Sequence, residues 1–535
     1  MRSLGARMLP PIPSGWRGFA LTSLVLCAAC VSPDATAPGG DRARPEFDDL
    51  RFDHTAEFFV SPTGSPAGDG SSSNPWDLAT ALAGPATVTP GSTIWLRGGA
   101  YSDGPFYGGY VSTLTGTAAA PILVRQYPGE RATVSKFLVV QGAFTWYWGF
   151  EVVHTLPQVG SGLFGIDDLA PGAKFINMVV HDATGSGIFI WPQATDAEVY
   201  GSISYNNGRT DNLDHGIYCQ SQSSILLRDN IVFDNWAFGI HCFAKVGPYV
   251  QNIALEGNVA FNDYVWGVPS DADFFVGGHF PASGIIIDHN YTYRTNNSNT
   301  KAADIGYNLV VNHDLVLTNN YFVGGWAHLG AWETATVAGN TLFNFSDAGM
   351  LWNMGDLTGQ TWRGNTFFGD SSALAWRHDS SAVTTFAGWR TLTGLADPGT
   401  YAGTTPAGLN VVVRPNAYEP GRANIIVYNW PQQGTVSVDV SGILYVGDRY
   451  VVQNAQDFYG SPVAGGIYTG GPLQLPMVGA TPPMPLGTTP AQPAPVTGPT
   501  FNVFVLMKSR HGRCVPAERG DSAESGDSGG CAPPR

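Results

Sequence analysis

The sequence predicts an all-β chain in which a solenoid of stacked strands is followed by a small antiparallel β-sandwich. Two observations predict the solenoid. Short apolar motifs that begin with glycine recur at intervals of about one coil, and asparagines recur in a second, interleaved column. A third observation predicts the sandwich, because the repeat stops near residue 370 and alternating strands joined by Gly, Asp and Asn turns follow.

The composition favours many short strands and turns over a helical bundle. The 535 residues include 67 Gly, 15 Trp, 21 Tyr and 28 Phe, and 13% are charged, about half the usual quarter for soluble domains. A chain of this length exceeds the size at which single domains usually divide, so we expect two folded parts. The formal net charge of −15 argues against a nucleic-acid partner, because phosphate binding needs a surplus of Lys and Arg on one face.

The N-terminus has the pattern of an export signal. Three arginines precede the apolar run GFALTSLVLCAAC, and a polar, Pro- and Gly-rich segment follows; a membrane span would need about 20 apolar residues. The residues LCAAC at 26–30 also resemble a bacterial lipobox, in which Cys30 is acylated, and a plain secretion signal is the alternative. We expect a signal over residues 1–30, a flexible linker over 31–55, and a location that is secreted, periplasmic or lipid-anchored at the bacterial cell envelope. We also expect a monomer whose only membrane contact is that anchor.

Glycines at the start of apolar tetrads define the coils of the solenoid. They are Gly187 (SGIFIW), Gly216 (HGIYCQ), Gly239 (FGIHCF) and Gly267 (WGVPSD), at intervals of 29, 23 and 28 residues. Constant motifs at variable spacing indicate coils that share strands and differ in their loops. Neighbouring side chains of a strand point to opposite faces, so each tetrad has an inward and an outward set. The predicted inward columns are Ile188, Ile217, Ile240, Val268 and Ile190, Cys219, Cys242, Ser270, and the predicted outward column is Phe189, Tyr218, His241, Pro269.

Asparagines recur just before strands in the second column. They are Asn230, Asn258, Asn290, Asn320, Asn340 and Asn365. An asparagine at a turn tolerates a left-handed backbone, and its side-chain amide can bond to the same amide in the next coil. Such a ladder is typical of a right-handed parallel β-helix, which we predict with its N-terminal cap for residues 56–370.

The ladder and the entry segment resemble a known group of proteins. The segment FFVSPTGSPAGDGSSSNPWDLATALAGPATVTPGSTIWLRGGAY at 58–101 is similar to the start of pectate-lyase-like β-helix proteins, above all the alginate lyase and chondroitinase B branch. The resemblance implies a polysaccharide partner. It leaves Ca²⁺ as the one cofactor to consider, and no residue of this chain matches the acidic calcium ligands or the Lys/Arg pair of that branch, so no metal ligand is assigned. The fold itself hosts lyases, hydrolases, esterases, epimerases and adhesins.

The C-terminal part reads as a separate unit. A connecting segment at 371–404 contains Trp376 and Trp389. The strands GLNVVVRPNAYEPGRANIIVYNW and VSVDVSGILYVGDRYVVQNAQDFYG, with the closing strand FNVFVLMK, predict a β-sandwich over residues 405–508. Residues 509–535 are too polar to pack and are predicted to be disordered.

The outward strip carries the candidate binding residues. Aromatic faces stack on sugar rings, and glycine at the strand start leaves room for a polymer to lie close. The alternative is that these aromatic residues pack under a covering loop. The candidate substrate-binding residues are Phe189, Trp191, Gln220, Phe243, Trp266, Asp214 and Asp271.

Polar residues near the strip suggest chemistry. β-Elimination on a uronate-containing glycan needs groups that move protons and a cation that neutralises the carboxylate. Tyr218 and His241, about 5 Å apart at the strand spacing, could do the first, with His215 beside them. Lys245 and Arg209 could do the second.

Two other functions stay open at this point. A glycoside hydrolase would use two carboxylates, Asp211 or Asp214 with Asp271 or Asp273, at roughly 5–10 Å. A non-catalytic carbohydrate-binding surface protein would keep only the aromatic strip. Each aspartate could also be a turn residue, and His215 a buried turn histidine.

Cysteine usage excludes a disulfide scaffold. Of six cysteines only Cys219 and Cys242 lie in the body of the chain, on adjacent coils. Stacked parallel side chains favour thiols in contact, whereas export favours a disulfide, so we predict contact and leave the bond open.

Overall fold

A computed structural model describes residues 56–102, 109–154, 164–209, 213–264, 272–295, 300–344, 349–369, 375–487 and 493–509. In these ranges the chain is nearly all β, as predicted. The helices are Leu78–Leu82 and Phe386–Thr393, with a 3₁₀ turn at Ala455–Asp457, and none of them is long and apolar enough to cross a membrane.

Three sheets of twelve strands each form a parallel β-helix, except that the strand Ser381–Val383 pairs antiparallel with Trp376–His378. Sheet 1 contains Glu57–Val60, Thr93–Leu96, Ile122–Gln126, Thr145–Trp148, Lys174–Ile176, Ala197–Tyr200, Ile225–Arg228, Ile253–Glu256, Ser283–Asp288, His313–Thr318, Ala335–Ala338 and Gln360–Arg363. Sheet 2 contains Tyr110–Ser112, Leu138–Val140, Ile166–Asp168, Ile188–Ile190, Ile217–Cys219, Ile240–Ala244, Ala272–Gly278, Lys301–Ile305, Trp326–Ala331, Leu351–Met354, Trp376–His378 and Ser381–Val383. Sheet 3 contains Gly99–Tyr101, Ala132–Val134, Glu151–Val153, Val179–His181, Ile203–Tyr205, Ile231–Phe233, Val259–Phe261, Tyr291–Tyr293, Tyr321–Val323, Thr341–Phe343, Asn365–Phe368 and Gly399–Ala402. Each coil visits sheet 2, then sheet 1, then sheet 3.

The interior of the solenoid is a column of aliphatic side chains. Ile188, Ile217 and Ile240 are register partners on neighbouring strands and are fully buried, as the glycine motifs predict. One step along, Cys219 and Cys242 are partners whose Cα atoms lie 4.5 Å apart, and they form a disulfide. The predicted contact is confirmed, and the bond is formed.

The predicted register is wrong from the fourth coil onward. Ile240 pairs with Phe274 and Cys242 with Val276, whereas the motif spacing had placed Val268 and Ser270 there. Those two residues lie outside the described ranges, as does Pro269. The reason is that the strand Ala272–Gly278 (ADFFVGG) starts without the Gly-Ile signature of its neighbours, so the sequence pattern attached the column to the wrong segment.

The asparagine ladder is confirmed between sheets 1 and 3. Each side-chain oxygen accepts from the preceding asparagine: Asn230 Nδ2 donates to Asn258 Oδ1 at 2.9 Å, and Asn258 Nδ2 to Asn290 Oδ1 at 3.0 Å. The series continues through Asn320 and Asn340 to Asn365. All these residues are buried, so the ladder satisfies polar groups that water does not reach.

A second ladder, not predicted, explains the recurring glycines. Asn207 Nδ2 donates to Asn235 Oδ1 at 3.0 Å, and Asn235 Nδ2 donates to Asp263 Oδ1 at 2.8 Å. A Cβ at Gly216 would meet Asn235 Nδ2 at 2.6 Å, and Asn207 blocks the corresponding Cβ at Gly187. Glycine stands directly before each of these strands because the ladder side chains fill the space that a larger residue would need. The predicted reason, room for a bound polymer, is wrong.

The C-terminal unit is an antiparallel sandwich that packs on sheet 3. Its five-stranded sheet contains, in spatial order, Leu409–Pro415, Arg422–Asn429, Phe501–Lys508, Arg449–Asn454 and Ala464–Ile467. A two-stranded layer, Thr435–Val438 and Leu473–Pro476, covers one face. The other face contributes Ile426, Tyr428 and Val503 to a core shared with outward residues of sheet 3 such as Ile203 and Phe233.

A hairpin of the sandwich also reaches sheet 1. The ring of Tyr418 lies 5.9, 5.8 and 4.9 Å from the rings of Trp146, Trp148 and Tyr200. Its hydroxyl donates to Glu198 Oε2 at 2.6 Å and accepts from Lys174 Nζ at 2.8 Å. The two units are therefore joined by an apolar core and by a partly buried polar contact.

Candidate functional site

The outer face of sheet 2 presents a continuous row of side chains. We call this row the outward column. Strand register aligns its members one per coil, and they are Asp167, Phe189, Tyr218, His241, Phe275, Asp304, His328, Trp352 and Arg377. The alternation of side chains that packs the core thus also builds an external strip.

The first part of the outward column is aromatic, as predicted. Phe189 stacks on Phe164 and on Tyr218 with ring centroids 4.2 and 4.3 Å apart. Trp191 lies against Phe189 at 4.7 Å and donates from Nε1 to Asp167 Oδ1 at 2.5 Å. Phe189 and Trp191 are half-buried, so one face of this aromatic group remains available to a ligand.

The three predicted proton-transfer residues come together but do not face solvent. Tyr218 is 9% exposed, His241 is 7% exposed and His215 is buried. His241 Nδ1 and His215 Nε2 share a hydrogen bond of 2.8 Å. Phe238 stacks on His241 at 4.2 Å, and Phe275 meets it edge-on at 4.7 Å. The predicted exposure of Tyr218 and His241 is wrong, because aromatic neighbours cover the slot.

The protonation of these groups follows from their burial. Burial raises the pKa of Tyr218 to about 12 and lowers the pKa of His215 to about 3. The pKa of His241 is well below its ordinary value because of burial and of the neighbouring His215. Tyr218 also donates to Phe243 O at 2.5 Å and accepts from Gln220 Nε2 at 2.8 Å. At neutral pH the cluster is a neutral, hydrogen-bonded group whose tyrosine hydroxyl is already fully engaged.

The predicted cations lie on turns next to this cluster. Lys245 is exposed in the turn after Ile240–Ala244. Arg209 is half-buried, and the pKa of His154 is lowered by burial and, to a smaller extent, by the charge of Arg209. Neither cation is among the residues that contact His241 or Tyr218 in the described part of the chain.

The structure describes some of the remaining predicted residues and leaves others outside its described ranges. Asp214 is buried and accepts from the Arg209 amide at 3.1 Å, which is the role of a turn residue. Asp273 is buried in an ion pair with Arg294 at 2.9 Å, so the hydrolase pairing would require a carboxylate held inside the fold. Gln220 and Phe243 are half-buried beside Tyr218. Four residues of the sequence-based hypotheses lie outside the described residues: Cys30, Asp211, Trp266 and Asp271.

A second polar cluster on the outward column was not predicted from the sequence. Asp304 Oδ1 lies 2.7 Å from His328 Nδ1, and Asp304 Oδ2 lies 2.6 Å from Lys301 Nζ. A carboxylate that accepts from Nδ1–H fixes the imidazole tautomer and leaves the lone pair on Nε2. His328 Nε2 is 3.2 Å from Met354 Sδ, a weak acceptor with no proton to give. His328 is only 8% exposed and Met354 covers its Nε2, so this imidazole could act as a general base, with a cation attached to its supporting carboxylate, only if Met354 moved aside.

Aromatic side chains and a further cation surround this cluster. Trp326 and Trp352 stack at 6.3 Å, and Trp352 lies 5.0 Å from His328. The guanidinium of Arg377 lies over Trp352 at 5.7 Å, and Lys301 Nζ over Trp326 at 5.5 Å. Together with Gly349 and Ala375, the two tryptophans and Arg377 line a cleft of about 180 Å³ beside the cluster, whose own three polar residues are not among the lining residues. An anionic sugar ring would find both a stacking surface and positive charge here.

A sequence signal for this cluster exists but is weak. Asp304 and His328 each stand between two inward apolar residues, in ADI and AHL, just as Tyr218 stands in IYC. The strands share no motif beyond that alternation. Across the described residues no group of three or more His, Cys, Asp or Glu is arranged to hold a metal ion.

Comparison with known proteins concerns the fold. Residues 152–274 match the family model described as right handed beta helix region. No curated protein matches the chain by sequence. Among solved structures, the pectate lyase Pel9A is 18% identical, with 66% of this chain and 88% of that chain covered and a TM-score of 0.42. A rhamnogalacturonan lyase is 12% identical over 61% and 87%, with a TM-score of 0.39. A mannuronic acid specific family 6 polysaccharide lyase from human gut microbiota is 13% identical over 66% and 92%, with a TM-score of 0.35.

Proposed function

We propose that this right-handed parallel β-helix protein is an exported polysaccharide lyase that cleaves a uronate-containing glycan by β-elimination. The observation that carries the proposal is the Lys301–Asp304–His328 cluster on the outward column, between Trp326 and Trp352. It combines a base held in one tautomer, a cation and stacking surfaces, which are the parts that elimination next to a carboxylate needs.

The residues take distinct roles in this reaction. After Met354 moves aside, His328 Nε2 removes the proton from the carbon beside the uronate carboxylate. The electron pair forms a carbon–carbon double bond, the glycosidic C–O bond breaks, and the imidazolium returns the proton to the leaving oxygen. Lys301 and Arg377 stabilise the charge on the carboxylate, and Asp304 holds the imidazole in orientation.

The glycan would lie along the solenoid axis on the outward column. The column has half-buried aromatic side chains at Phe189 and again at Trp352, so sugar rings could stack at both ends of the same strip. Tyr218, His215 and His241 would then lie beneath the binding surface, and proton transfer would belong to His328.

Export is supported by the Cys219–Cys242 disulfide. Disulfides form and persist in oxidising compartments and are rare in the cytosol. Mass spectrometry of the protein from its native host would show whether the signal is cleaved and whether Cys30 carries a lipid; a mature chain that begins at Met1 would contradict export.

The reaction is tested by incubating purified protein with a panel of uronate and neutral glycans. Ultraviolet absorbance detects the unsaturated product of elimination, and a reducing-end assay detects any chain cleavage. We expect both signals from a polyuronate. New reducing ends without absorbance would replace the lyase with a hydrolase, and retained binding without either signal would indicate a carbohydrate-binding protein.

Variants locate the reactive group. His328→Gln should lower turnover by about 10²–10⁴-fold, the usual contribution of a general acid–base group, while His313→Gln on sheet 1 serves as the matched control. Tyr218→Phe and His241→Ala should change the KM more than the kcat. If these two variants abolish turnover and His328→Gln does not, the reactive centre lies at the histidine and tyrosine cluster instead.

A further inference from the structure

A half-buried carboxylate lies at the aromatic start of the outward column. Asp167 is the register partner of Phe189 on the neighbouring strand. Its Oδ1 accepts a hydrogen bond from Trp191 Nε1 at 2.5 Å, and its Oδ2 accepts none from the residues that the structure describes. One oxygen of this carboxylate is therefore open to a ligand.

The aromatic rings beside Asp167 form a surface on which a sugar ring could stack. The ring of Phe189 lies 4.2 Å from that of Phe164 and 4.7 Å from that of Trp191. We call Phe164, Phe189 and Trp191 the aromatic platform. Because Trp191 also holds Asp167 in place, a sugar ring on the platform would have its hydroxyl groups next to the open oxygen.

A hydroxyl donor would satisfy this carboxylate. Burial raises the pKa of Asp167, and the hydrogen bond from Trp191 offsets part of that rise. A second hydrogen bond, donated by a ligand to Oδ2, would further stabilise the charged form. A sugar hydroxyl can donate such a bond, whereas an ionised uronate carboxylate can only accept and would repel Asp167.

The two ends of the outward column therefore differ in charge. Lys301 and Arg377 lie at the end that contains His328. At the other end neither Arg209 nor Lys245 contacts Asp167 in the described part of the chain. The first end suits a carboxylate of the glycan, and the second end suits a sugar without one.

The two ends are far enough apart to bind different sugar units. Phe189 and His328 are separated by five register steps along sheet 2. Parallel strands lie about 4.8 Å apart, so the separation is about 24 Å. A glycan that reaches both positions must span several sugar rings.

We propose that the aromatic platform and Asp167 form a subsite for a neutral sugar unit, whose hydroxyl groups donate to Asp167 Oδ2. The inference rests on the proposed function, because it assumes that a glycan lies along the outward column with a uronate at His328. It adds a substrate class: a heteropolysaccharide that contains uronate and neutral units, in preference to a polymer of uronate alone.

The test compares polyuronates with matched polymers in which part of the carboxyl groups has been reduced to alcohols. The probes are polygalacturonate, polymannuronate and polyglucuronate, each in its native and its partly reduced form. Affinity electrophoresis of the full-length protein measures binding without any need for turnover. At about 0.15 M salt, charges more than about 8 Å apart are largely screened, so the comparison reports local contacts.

A hydrogen bond to a charged group favours binding by about tenfold or more. At least one partly reduced polymer should therefore bind the wild-type protein about tenfold more tightly than its native form. Asp167→Asn should abolish this preference, because the amide can place a donor where Oδ2 accepts. Asp439→Asn, at an exposed position on the sandwich, changes the net charge equally and should keep the preference.

Two results would overturn the inference and leave the lyase proposal intact. One is equal or weaker binding of every partly reduced polymer by the wild-type protein. The other is a preference that Asp167→Asn retains. Failure to bind any of these polymers would overturn both proposals.

Discussion

Replacing Asn290 by Ala removes one step of the asparagine ladder and tests how much the ladder stabilises the solenoid. Asn290 Oδ1 accepts from the backbone N and from Nδ2 of Asn258, both at 3.0 Å. Its Nδ2 donates to Leu255 O at 2.8 Å and to Asn320 Oδ1 at 3.1 Å. Alanine would leave the buried backbone N–H of Asn258 and one of its amide hydrogens without an acceptor.

Each buried donor left unpaired costs about 1–3 kcal/mol, so Asn290→Ala should lower the free energy of unfolding by roughly 2–6 kcal/mol. Urea unfolding followed by tryptophan fluorescence measures the change. Asn410→Ala, on the edge strand Leu409–Pro415 of the sandwich, is the matched control and should change stability by less than about 0.5 kcal/mol. A loss for Asn290→Ala no larger than that of the control would refute the reasoning that ladder bonds, and not only apolar packing, hold the coils.

Three further predictions concern stability. Replacing Cys219 and Cys242 by Ser should lower the free energy of unfolding by about 3 kcal/mol, because the disulfide closes a loop with a sequence separation of 23. A double variant that unfolds at the same urea concentration as the wild-type protein would contradict this. His215 has a folded pKa of about 3 against an ordinary 6.5, so the unfolded chain binds the proton first and stability should fall as the pH drops from 6.5 towards 3. His215→Asn should flatten that slope, whereas His279→Asn should not, and an equal slope in both would exclude His215 as a cause. Tyr418→Phe should lower the melting temperature through the loss of about 1–3 kcal/mol, and scanning calorimetry that finds no change would show that its hydroxyl contacts do not stabilise the junction of the two units.

The sequence predicted the parts of the fold that repeat. The asparagines of the ladder are identical from coil to coil because one geometry is used each time, and so the residues alone identified a parallel β-helix. The same is true of Ile188, Ile217 and Ile240, which fill equivalent interior positions. Where the interior packing repeats from coil to coil, the same residue types recur in the sequence.

The parts that do not repeat were predicted less well. The second ladder was missed because Asp263 replaces Asn in its third position. The burial of Tyr218 and His241 depends on Phe238 and Phe275, which come from neighbouring coils and follow no spacing rule. Asp304 and His328 meet only because two strands without a common motif are adjacent in sheet 2.

The docking of the sandwich along sheet 3 has a mechanical consequence for the solenoid. The shared core includes sheet 3 residues from seven consecutive coils, from Val179 to Phe343. Solenoids contact only their neighbours along the axis and can therefore fray one repeat at a time. Here the sandwich packs against all seven coils. A coil in this region therefore cannot separate from its neighbour without also losing its contact with the sandwich. A pulling force applied along the axis should consequently meet one large resistance from this section in place of a series of small ones.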